Sequence, residues 1–353
     1  MKLLFISHQL DRSGAPLVLL ELIRLCRSCG HDTDVISLQD GVLRQEMEAE
    51  GINVRICGGF LGDLQYWCGE FMKYDHVVVN TIVCVEAIHA LKYIYVPVTW
   101  WIHEYEGWFE LYKEVLPDPK ELGDNIRIFG VSPVTCRIID KYGYSNELLP
   151  LGIKDRCDIE KADRDEDRIR FICGGTITYV KGQDILINAI QRLPSDIRSS
   201  CEFVICGPET QQDKQMSDTL QGFLKDNSDV VYTGGLEREA FIGEIAKSDY
   251  VIIPSRREPL PAVAVEAMML FVPNIISDVC GVTAFLEDDK DAFIVKTGDY
   301  EDLSRHIADA VAFRNSEAYS EMARRGRKVY EDIFSYDVFR SRVLELLGAA
   351  VTE

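Results

Sequence analysis

Two glutamates, Glu258 and Glu266, stand eight positions apart in the stretch PSRREPLPAVAVEAM, residues 254–268. The apolar run at residues 250–253 predicts a short buried strand that a proline ends. Two later prolines keep a helix from starting before Ala262. One acid is therefore predicted in the loop at the carboxyl end of the strand and the other one turn into the following helix. Such a pair can contact one ligand at two separate places.

The first N–H groups of the predicted helix, on Ala262 and Val263, lie between the two acids in the sequence. The first N–H groups of a helix have no acceptor within the helix, and they suit an anion such as a diphosphate. Lys181 follows the strand-like FICGG segment and precedes a helix in TYVKGQDILINAI. With Gly182 letting the backbone approach, this lysine is suited to offset the charge of a leaving nucleotide diphosphate.

These two stretches resemble family 4 of the retaining glycosyltransferases, also described as group 1. The frame PS..E……EAM resembles the family's double-glutamate signature, and the lysine frame resembles its K-G-x-D-x-L motif. The lysine frame matches at Lys181, Gly182, Asp184, Leu186 and Ala189. The resemblance covers nearly the whole chain. It implies the α/β GT-B fold, in which two Rossmann-like domains face a central cleft and the C-terminal helix crosses back to the N-terminal domain.

The resemblance also implies roles for these residues. Lys181 and the helix N-terminus at Ala262 are expected to hold the diphosphate, Glu258 the hydroxyls of the donor sugar, and Glu266 the ribose. His103, at the end of the strand-like VTWWIH segment, matches the family's active-site histidine. The expected catalytic residues are therefore His103, Lys181 and Glu258.

Two departures from the family concern the phosphate and sugar contacts. Thr176 stands where the family usually has a second phosphate-binding arginine, and its hydroxyl brings no charge. Arg256 or Arg257 could compensate, although both could equally be solvated side chains. The family's usual E-G-F-G is EPLP at residues 258–261. Its prolines remove two backbone donors, which leaves Leu260 and the N–H groups that follow it for the ligand.

A loop at residues 11–16 resembles the family's first glycine loop, with Gly14 and Ala15 in place of two glycines. Gly14 is expected to bring the backbone close to the donor, and a plain strand–helix turn is the alternative. A histidine at the carboxyl tip of a parallel strand faces the crevice where α/β proteins bind ligands. The aromatic residues around His103 are expected to divide between the core and stacking on sugar rings. They are Trp100, Trp101, Tyr105, Trp108 and Phe109.

No metal or other cofactor is expected. The acidic doublets Asp32-x-Asp34, Asp163-x-Asp165 and Asp165-x-Asp167 fall in a turn and a linker rather than at the end of a strand. Cys26-x-x-Cys29 is the only close cysteine pair, and without a second pair it predicts two small residues in a helix rather than zinc.

The alternation of strands and helices predicts two domains. Residues 1–155 with a returning helix at 336–353 are expected to form the acceptor-side domain, and residues 156–335 the nucleotide-sugar-binding domain. The charged stretch 154–168 is the expected linker. A helix is predicted at residues 16–29 and a helical segment at 316–333, and residues 335–337 are expected to open the last helix.

The composition excludes several classes of protein. A net charge of −20 argues against nucleic acid and against strong docking on anionic lipid, and leaves at most a weak peripheral membrane contact. The 11 cysteines scattered through apolar segments indicate reduced thiols. Without an apolar run of about 18 residues, or a signal-peptide pattern in residues 1–7, a cytoplasmic location is expected.

The expected function is retaining, metal-independent transfer of a sugar from a UDP- or GDP-sugar to a hydroxyl acceptor. The acceptor is expected to be a growing glycan or glycolipid in polysaccharide or glycoconjugate synthesis. A non-catalytic sugar-nucleotide-binding protein and a dinucleotide-dependent oxidoreductase remain as alternatives. No G-x-G-x-x-G follows the first strand, which disfavours the oxidoreductase. A glycosidase would need two carboxylates flanking one bond.

Overall fold

The computed structural model describes residues 1–159 and 167–348, and the chain divides into two compact units. Unit 1 comprises Met1–Leu151 together with the chain from Phe339, and unit 2 comprises Gly152–Val338. Each unit is built around one parallel sheet with helices beside it. The α/β fold class expected from the sequence is confirmed.

Unit 1 has a sheet of seven strands among the described residues, in the order β3-β2-β1-β4-β5-β6-β7. The strands are β1 (Lys2–Ser7), β2 (Asp32–Ser37), β3 (Asn53–Ile56), β4 (His76–Asn80), β5 (Val98–Ile102), β6 (Ile126–Gly130) and β7 (Glu147–Leu148). The order reverses between β1 and β4. In open α/β sheets, ligands bind outside the carboxyl ends of the strands at such a reversal.

The helices of unit 1 are α1 (Gly14–Ser28), α2 (Leu43–Ala49), α3 (Leu64–Phe71), α4 (Val85–Leu91), α5 (Glu106–Tyr112) and α6 (Pro133–Lys141). The sequence placed the start of α1 at Pro16, and this was wrong by two residues. Ser13 has an extended backbone at the N-cap, and Pro16 sits in the first turn. A proline is tolerated there because the first-turn N–H groups need no partner within the helix. Gly14 and Ala15 therefore belong to the helix rather than to a loop.

Unit 2 repeats the pattern with six strands among the described residues, in the order β10-β9-β8-β11-β12-β13. They are β8 (Ile169–Gly174), β9 (Cys201–Cys206), β10 (Val230–Gly234), β11 (Tyr250–Ile253), β12 (Asn274–Ser277) and β13 (Phe293–Val295). The order reverses between β8 and β11. The loops after β8 and β11 carry the lysine and double-glutamate stretches. This reversal of strand order, the switch point of unit 2, therefore brings the two stretches together.

The remaining helices are α7 (Gln183–Arg192), α8 (Ser195–Ser199), α9 (Lys214–Asp226), α10 (Arg238–Ala246), α11 (Ala262–Met269), α12 (Tyr300–Phe313), α13 (Glu317–Val329) and α14 (Tyr336–Leu346). The predicted start of α11 at Ala262 is confirmed. The helical segment predicted over 316–333 is confirmed to within one residue at each end, as α13 followed directly by a π-helical turn, Tyr330–Phe334.

Each unit has its own hydrophobic core. In unit 2, Phe171 on β8 stacks on Phe203 of β9 and on Tyr250 of β11, with ring centroids 5.3 and 5.4 Å apart. In unit 1, Trp101 of β5 stacks on Phe339 of α14 at 5.9 Å. Burial of each such side chain contributes roughly 1.5–3 kcal/mol. The stack on Phe339 is one reason why the last helix joins unit 1 although the sequence reaches it after unit 2.

Candidate functional site

The loop that follows β8 carries Lys181 and bends at two glycines with positive φ, Gly175 at 141° and Gly182 at 75°. A Cβ on Gly182 would lie 2.1 Å from the carbonyl oxygen of Pro254, the first residue after β11. Only glycine permits this close approach of the two loops. The glycine therefore sets the position of Lys181 relative to the double-glutamate stretch.

Hydrogen bonds hold the same loop in place. Thr178 caps the short turn at Tyr179–Lys181 by accepting from the Lys181 N–H at 3.3 Å. The Gln183 side chain donates to the Thr176 carbonyl at 3.1 Å. The backbone N–H of Arg256 donates to the Val180 carbonyl at 2.8 Å and joins the β8 loop to the β11 loop. These hydrogen bonds fix the backbone of the loop that carries Lys181.

The Lys181 ammonium forms an ion pair with the Glu258 carboxylate in this structure. Burial lowers the pKa of Lys181, but the charge and hydrogen bond of Glu258 outweigh that effect, so the pKa lies above its usual value. Glu258 is itself held by backbone contacts. It forms an isolated parallel bridge with Cys280, and its carbonyl accepts from the Gly281 N–H at 2.9 Å. The structure brings together the two expected catalytic residues of unit 2.

Glu266 lies one turn into α11 and is buried, with 1% of its surface exposed. Nη2 of Arg238 lies 2.5 Å from Oε1 of Glu266. Within the described residues, however, no donor reaches Oε1 with hydrogen-bond geometry. Burial raises the pKa of Glu266, and Arg238 partly opposes that shift. The result is a buried carboxylate whose Oε1 has an ionic neighbour but no aligned hydrogen bond from the described residues.

Arg256, one of the two cations expected to replace the missing phosphate-binding arginine, already has partners. Its guanidinium contacts both carboxylate oxygens of Asp184 at 2.8 and 2.6 Å and donates to the Tyr179 carbonyl at 2.7 Å. It also lies over the Tyr179 ring, 3.7 Å from the centroid. Thr176 is exposed. Arg256 therefore acts within the chain as a clamp between the two loops.

The N-terminus of α11 has an open backbone. Pro261 occupies the N-cap position and provides no side-chain cap, so side-chain capping does not occupy the first N–H groups, on Ala262 and Val263. Leu260 is buried, with 8% exposure. Because its side chain packs inward, any contact of Leu260 with a ligand would use its backbone. This helix end suits an anion, and its binding of the diphosphate stays a prediction.

In unit 1, His103 directly follows β5, and its ring lies 4.5 Å from that of Trp101. In the part of the chain that the structure describes, its Nε2 is buried without a hydrogen-bond partner. Burial, and after it the nearby His8, lowers the pKa of His103 to about 3. The imidazole is therefore neutral near pH 7 and has a nitrogen that can bind a hydroxyl.

Sequence reasoning missed the next residue, Glu104, which is 8% exposed. Its Oε2 accepts from the backbone N–H groups of Ile82 and His103 at 3.1 and 3.0 Å. Burial raises the pKa of Glu104 to about 7, although these N–H groups lower it. The carboxyl group ties the end of β5 to the loop after β4. Its position directly after the histidine strand was the available signal.

Three further polar residues at the same sheet edge were also missed. Thr81 has φ of 78°, and its Oγ1 lies 3.4 Å from Nδ1 of His8 at the end of β1. Asn80 is fully buried and donates to the Ala15 carbonyl at 3.1 Å, while its Oδ1 has no partner among the described residues. His8, like His103, follows a parallel strand directly, so the same pattern could have identified it.

The arrangement in both units matches known families. The family model described as "Glycosyl transferases group 1" matches residues 155–329, and the model described as "Glycosyl-transferase family 4" matches residues 1–122. The chain belongs to the group 1 glycosyltransferases. The family recognised from the two motifs is thereby confirmed, whereas retention at the anomeric carbon stays a prediction.

Individual relatives of this group 1 family member cover parts of the chain. It is 30% identical over 148 residues to the alpha-D-kanosaminyltransferase of Streptomyces kanamyceticus, a match to 41% of this chain and 37% of the relative. It is 29% identical over 171 residues to the capsular polysaccharide biosynthesis glycosyltransferase CapM of Staphylococcus aureus, across 48% and 43% of the two chains. The chain thus spans less than half the length of these curated relatives.

Solved structures resemble the whole chain. HepE of Anabaena in complex with UDP has a TM-score of 0.83 at 17% identity, over 99% of this chain and 100% of HepE. HepE is also known in complex with UDP-glucose, with a TM-score of 0.79 at 16% identity over 99% of both chains. At this identity the likeness establishes the fold, which is GT-B.

In this group 1 family member, the aromatic residues around His103 divide between buried and half-buried positions. Trp100 and Trp101 are buried and donate to the carbonyls of Thr81 and Leu149 at 3.0 and 2.9 Å, so they are core residues. Phe109 is buried too, whereas Tyr105 and Trp108 are half-buried. Gly14 is exposed at the start of α1, and no atom lies within 4 Å of a Cβ built there.

The acidic doublet Asp32-x-Asp34 lies away from the carboxyl ends of the strands. Asp32 and Asp34 are at the start of β2, and Asp34 accepts from the Tyr74 hydroxyl at 2.8 Å. Asp163 and Asp165 lie outside the described residues. Residues 1–159 and 167–348 contain no group of three His, Cys, Asp or Glu residues placed to hold a metal ion. In the same residues, no helix is long and apolar enough to cross a membrane.

Proposed function

We propose that this protein transfers a sugar from a UDP- or GDP-sugar to a hydroxyl group of a glycan or glycolipid, with retention at the anomeric carbon and without a metal ion. The observation that carries the proposal is the cluster at the switch point of unit 2. There, Lys181, Glu258 and the N-terminus of α11 converge, with the buried Glu266 one turn further on. A cation and helix N–H groups suit the diphosphate of a nucleotide sugar, and the two carboxylates suit its sugar and ribose hydroxyl groups.

The proposed chemistry follows from these groups. The bond between the anomeric carbon and the diphosphate oxygen breaks, and Lys181 with the N–H groups of Ala262 and Val263 stabilises the charge on the leaving diphosphate. The acceptor oxygen attacks from the same face, and its proton passes to the leaving phosphate. Glu258 accepts hydrogen bonds from the donor sugar, and His103 binds a hydroxyl of the reacting sugars through its neutral ring.

The relatives support the choice of donor and pathway. HepE binds UDP and UDP-glucose, and CapM acts in capsular polysaccharide biosynthesis. These properties belong to proteins that are under one third identical to this chain. They make UDP-sugars the first donors to test and cell-surface polysaccharides the first acceptors.

The decisive experiment measures hydrolysis and transfer with a panel of UDP- and GDP-sugars, with and without EDTA. We expect turnover of at least one donor, unchanged by EDTA, and an α-linked product from an α-linked donor. Binding without turnover on any donor would favour the non-catalytic alternative. Loss of binding on chelation would contradict the metal-free mechanism.

The division of labour between the two glutamates is tested by calorimetry with UDP and GDP. Glu266→Ala should weaken nucleotide binding by roughly 1–3 kcal/mol, because a charged acceptor of ribose hydroxyls is lost. Glu258→Ala should leave nucleotide affinity nearly intact and reduce transfer. Equal losses of nucleotide affinity in both variants would contradict the assignment.

His103 is tested separately, because it lies in unit 1. His103→Ala should bind nucleotide normally and transfer poorly, since its proposed partner is a sugar hydroxyl. His89→Ala is the control, because His89 lies in α4 of the same unit and its Nε2 contacts the Val115 carbonyl oxygen at 2.7 Å. Normal transfer by His103→Ala would remove this residue from the site.

A further inference from the structure

In the ion pair of Arg238 and Glu266, the acid is buried and the cation is exposed to solvent. Arg238 is the first residue of α10, and its side chain is 54% exposed, whereas that of Glu266 is 2% exposed. A buried carboxylate requires a neighbouring charge or hydrogen bonds. Arg238 meets this need from the solvent side, so a ligand arriving from solvent meets Arg238 before it meets Glu266.

The contact with Arg238 does not satisfy the hydrogen-bonding capacity of Glu266. Nη2 of Arg238 is 2.5 Å from Oε1 of Glu266, but Oε1 accepts no aligned hydrogen bond from the described residues. The vicinal diol of a ribose carries two O–H donors and could bond a carboxylate directly. This role of the ribose rests on the proposed function, in which Glu266 binds it. The diol and Arg238 would then compete for the same oxygen.

The position of α10 shows where Arg238 can turn. Phe241 lies three residues after Arg238 and hence on the same face of the helix. Its ring covers the end of β8, because a Cβ on Gly174 would lie 2.3 Å from it. Gly174 leads directly into the loop that carries Lys181. Arg238 therefore lies on the side of α10 that faces both Glu266 and the expected phosphate site.

We propose that Arg238 is an exchangeable counter-ion. It neutralises Glu266 in the empty protein and turns to the nucleotide diphosphate once the ribose diol has taken its place. It thereby supplies the second positive charge that Thr176 does not bring, while Arg256 remains bound to Asp184. Arg238 thus couples recognition of the ribose to recognition of the phosphates.

The test compares a nucleoside diphosphate with its nucleoside by calorimetry, using UDP with uridine and GDP with guanosine. In Arg238→Gln, we expect the diphosphate to bind about tenfold more weakly, because one charged hydrogen bond to phosphate is lost. The nucleoside should bind equally well or more tightly, because it no longer competes with Arg238. Arg238→Lys keeps the charge and should restore most of the diphosphate affinity.

Arg192→Gln is the matched control. Arg192 lies in the same unit and forms an ion pair with Glu301, and both side chains are exposed (61% and 60%). Equal losses for nucleoside and diphosphate in Arg238→Gln would mean that Arg238 only holds α10 against α11. Unchanged diphosphate affinity, or no recovery in Arg238→Lys, would also overturn the proposal. If the unmutated protein binds neither UDP nor GDP, the proposed function itself fails.

Discussion

The two units place different chemistry at equivalent sheet edges. Unit 2 gathers opposite charges in pairs, Lys181 with Glu258 and Arg238 with Glu266. Unit 1 gathers buried groups, and burial lowers the pKa of His103 to about 3 and raises that of Glu104 to about 7. The same topology thus provides one charged site and one nearly neutral site. We infer that unit 2 suits the ionic part of a donor and unit 1 suits hydroxyl groups.

The largest effect that would sharpen this comparison is expected from Lys181→Ala. If the charge in unit 2 stabilises the leaving diphosphate, transfer should fall roughly 10²–10³-fold, as it does when one donor to a developing charge is removed. The measurement is the transfer rate at saturating donor. Lys328→Ala, which removes an exposed lysine of the same unit, is the control. A smaller loss than in His103→Ala would reverse the roles of the two units.

A loss of stability of roughly 2–4 kcal/mol is expected from Gly182→Ala, because the residue has positive φ and its Cβ would meet a backbone oxygen. Urea unfolding followed by circular dichroism measures it. Gly222→Ala is the control. Gly222 lies inside α9 with open space around it, so alanine should stabilise the protein by roughly 0.5–1 kcal/mol. Similar effects of the two changes would contradict the close contact of the two loops.

The neutral character of unit 1 is tested by Glu104→Gln. The folded-state pKa of Glu104, about 7, lies above its unfolded value of 4.5, so its contribution to stability is fully present below pH 4.5 and falls as the pH rises through 7. The loss amounts to at most roughly 3 kcal/mol. Glutamine removes this dependence.

The four tryptophans all lie within unit 1, so their fluorescence follows its unfolding at pH 5, 6 and 7. We expect the difference in stability between wild type and Glu104→Gln to change with pH in this range. A constant difference would mean that Glu104 is already ionised at pH 5, which would make the site in unit 1 a charged one.

The smallest effect is expected from Arg256→Lys. If Arg256 is a clamp rather than a phosphate ligand, nucleotide affinity should change less than about threefold, and stability should fall by roughly 1 kcal/mol as the two-pronged contact with Asp184 is lost. Calorimetry with UDP or GDP and urea unfolding measure the two effects. A tenfold loss of nucleotide affinity would restore Arg256 to the phosphate site as the sequence predicted.

Much of the fold was predictable because its signals are local. Prolines at 259 and 261 forbid an earlier helix, so the start of α11 at Ala262 follows from the residues themselves. The start of α1 was placed two residues late because Pro16 was taken as the first helical residue, although a proline also fits later in the first turn. The π-helical turn after Val329 has no pattern that distinguishes it from a continued helix.

The sequence by itself determined that Lys181, Glu258 and Glu266 belong to two motifs of one family and that the helix carrying Glu266 starts at Ala262. Only the tertiary structure decided their partners: Glu258 for Lys181, Arg238 for Glu266 and Asp184 for Arg256. It also decided that Nε2 of His103 is buried without a partner among the described residues. The physical reason is that these contacts depend on which strands lie side by side. Local periodicity sets where a strand begins and ends, whereas the neighbours of β8 and β11 are chosen by packing across the whole sheet.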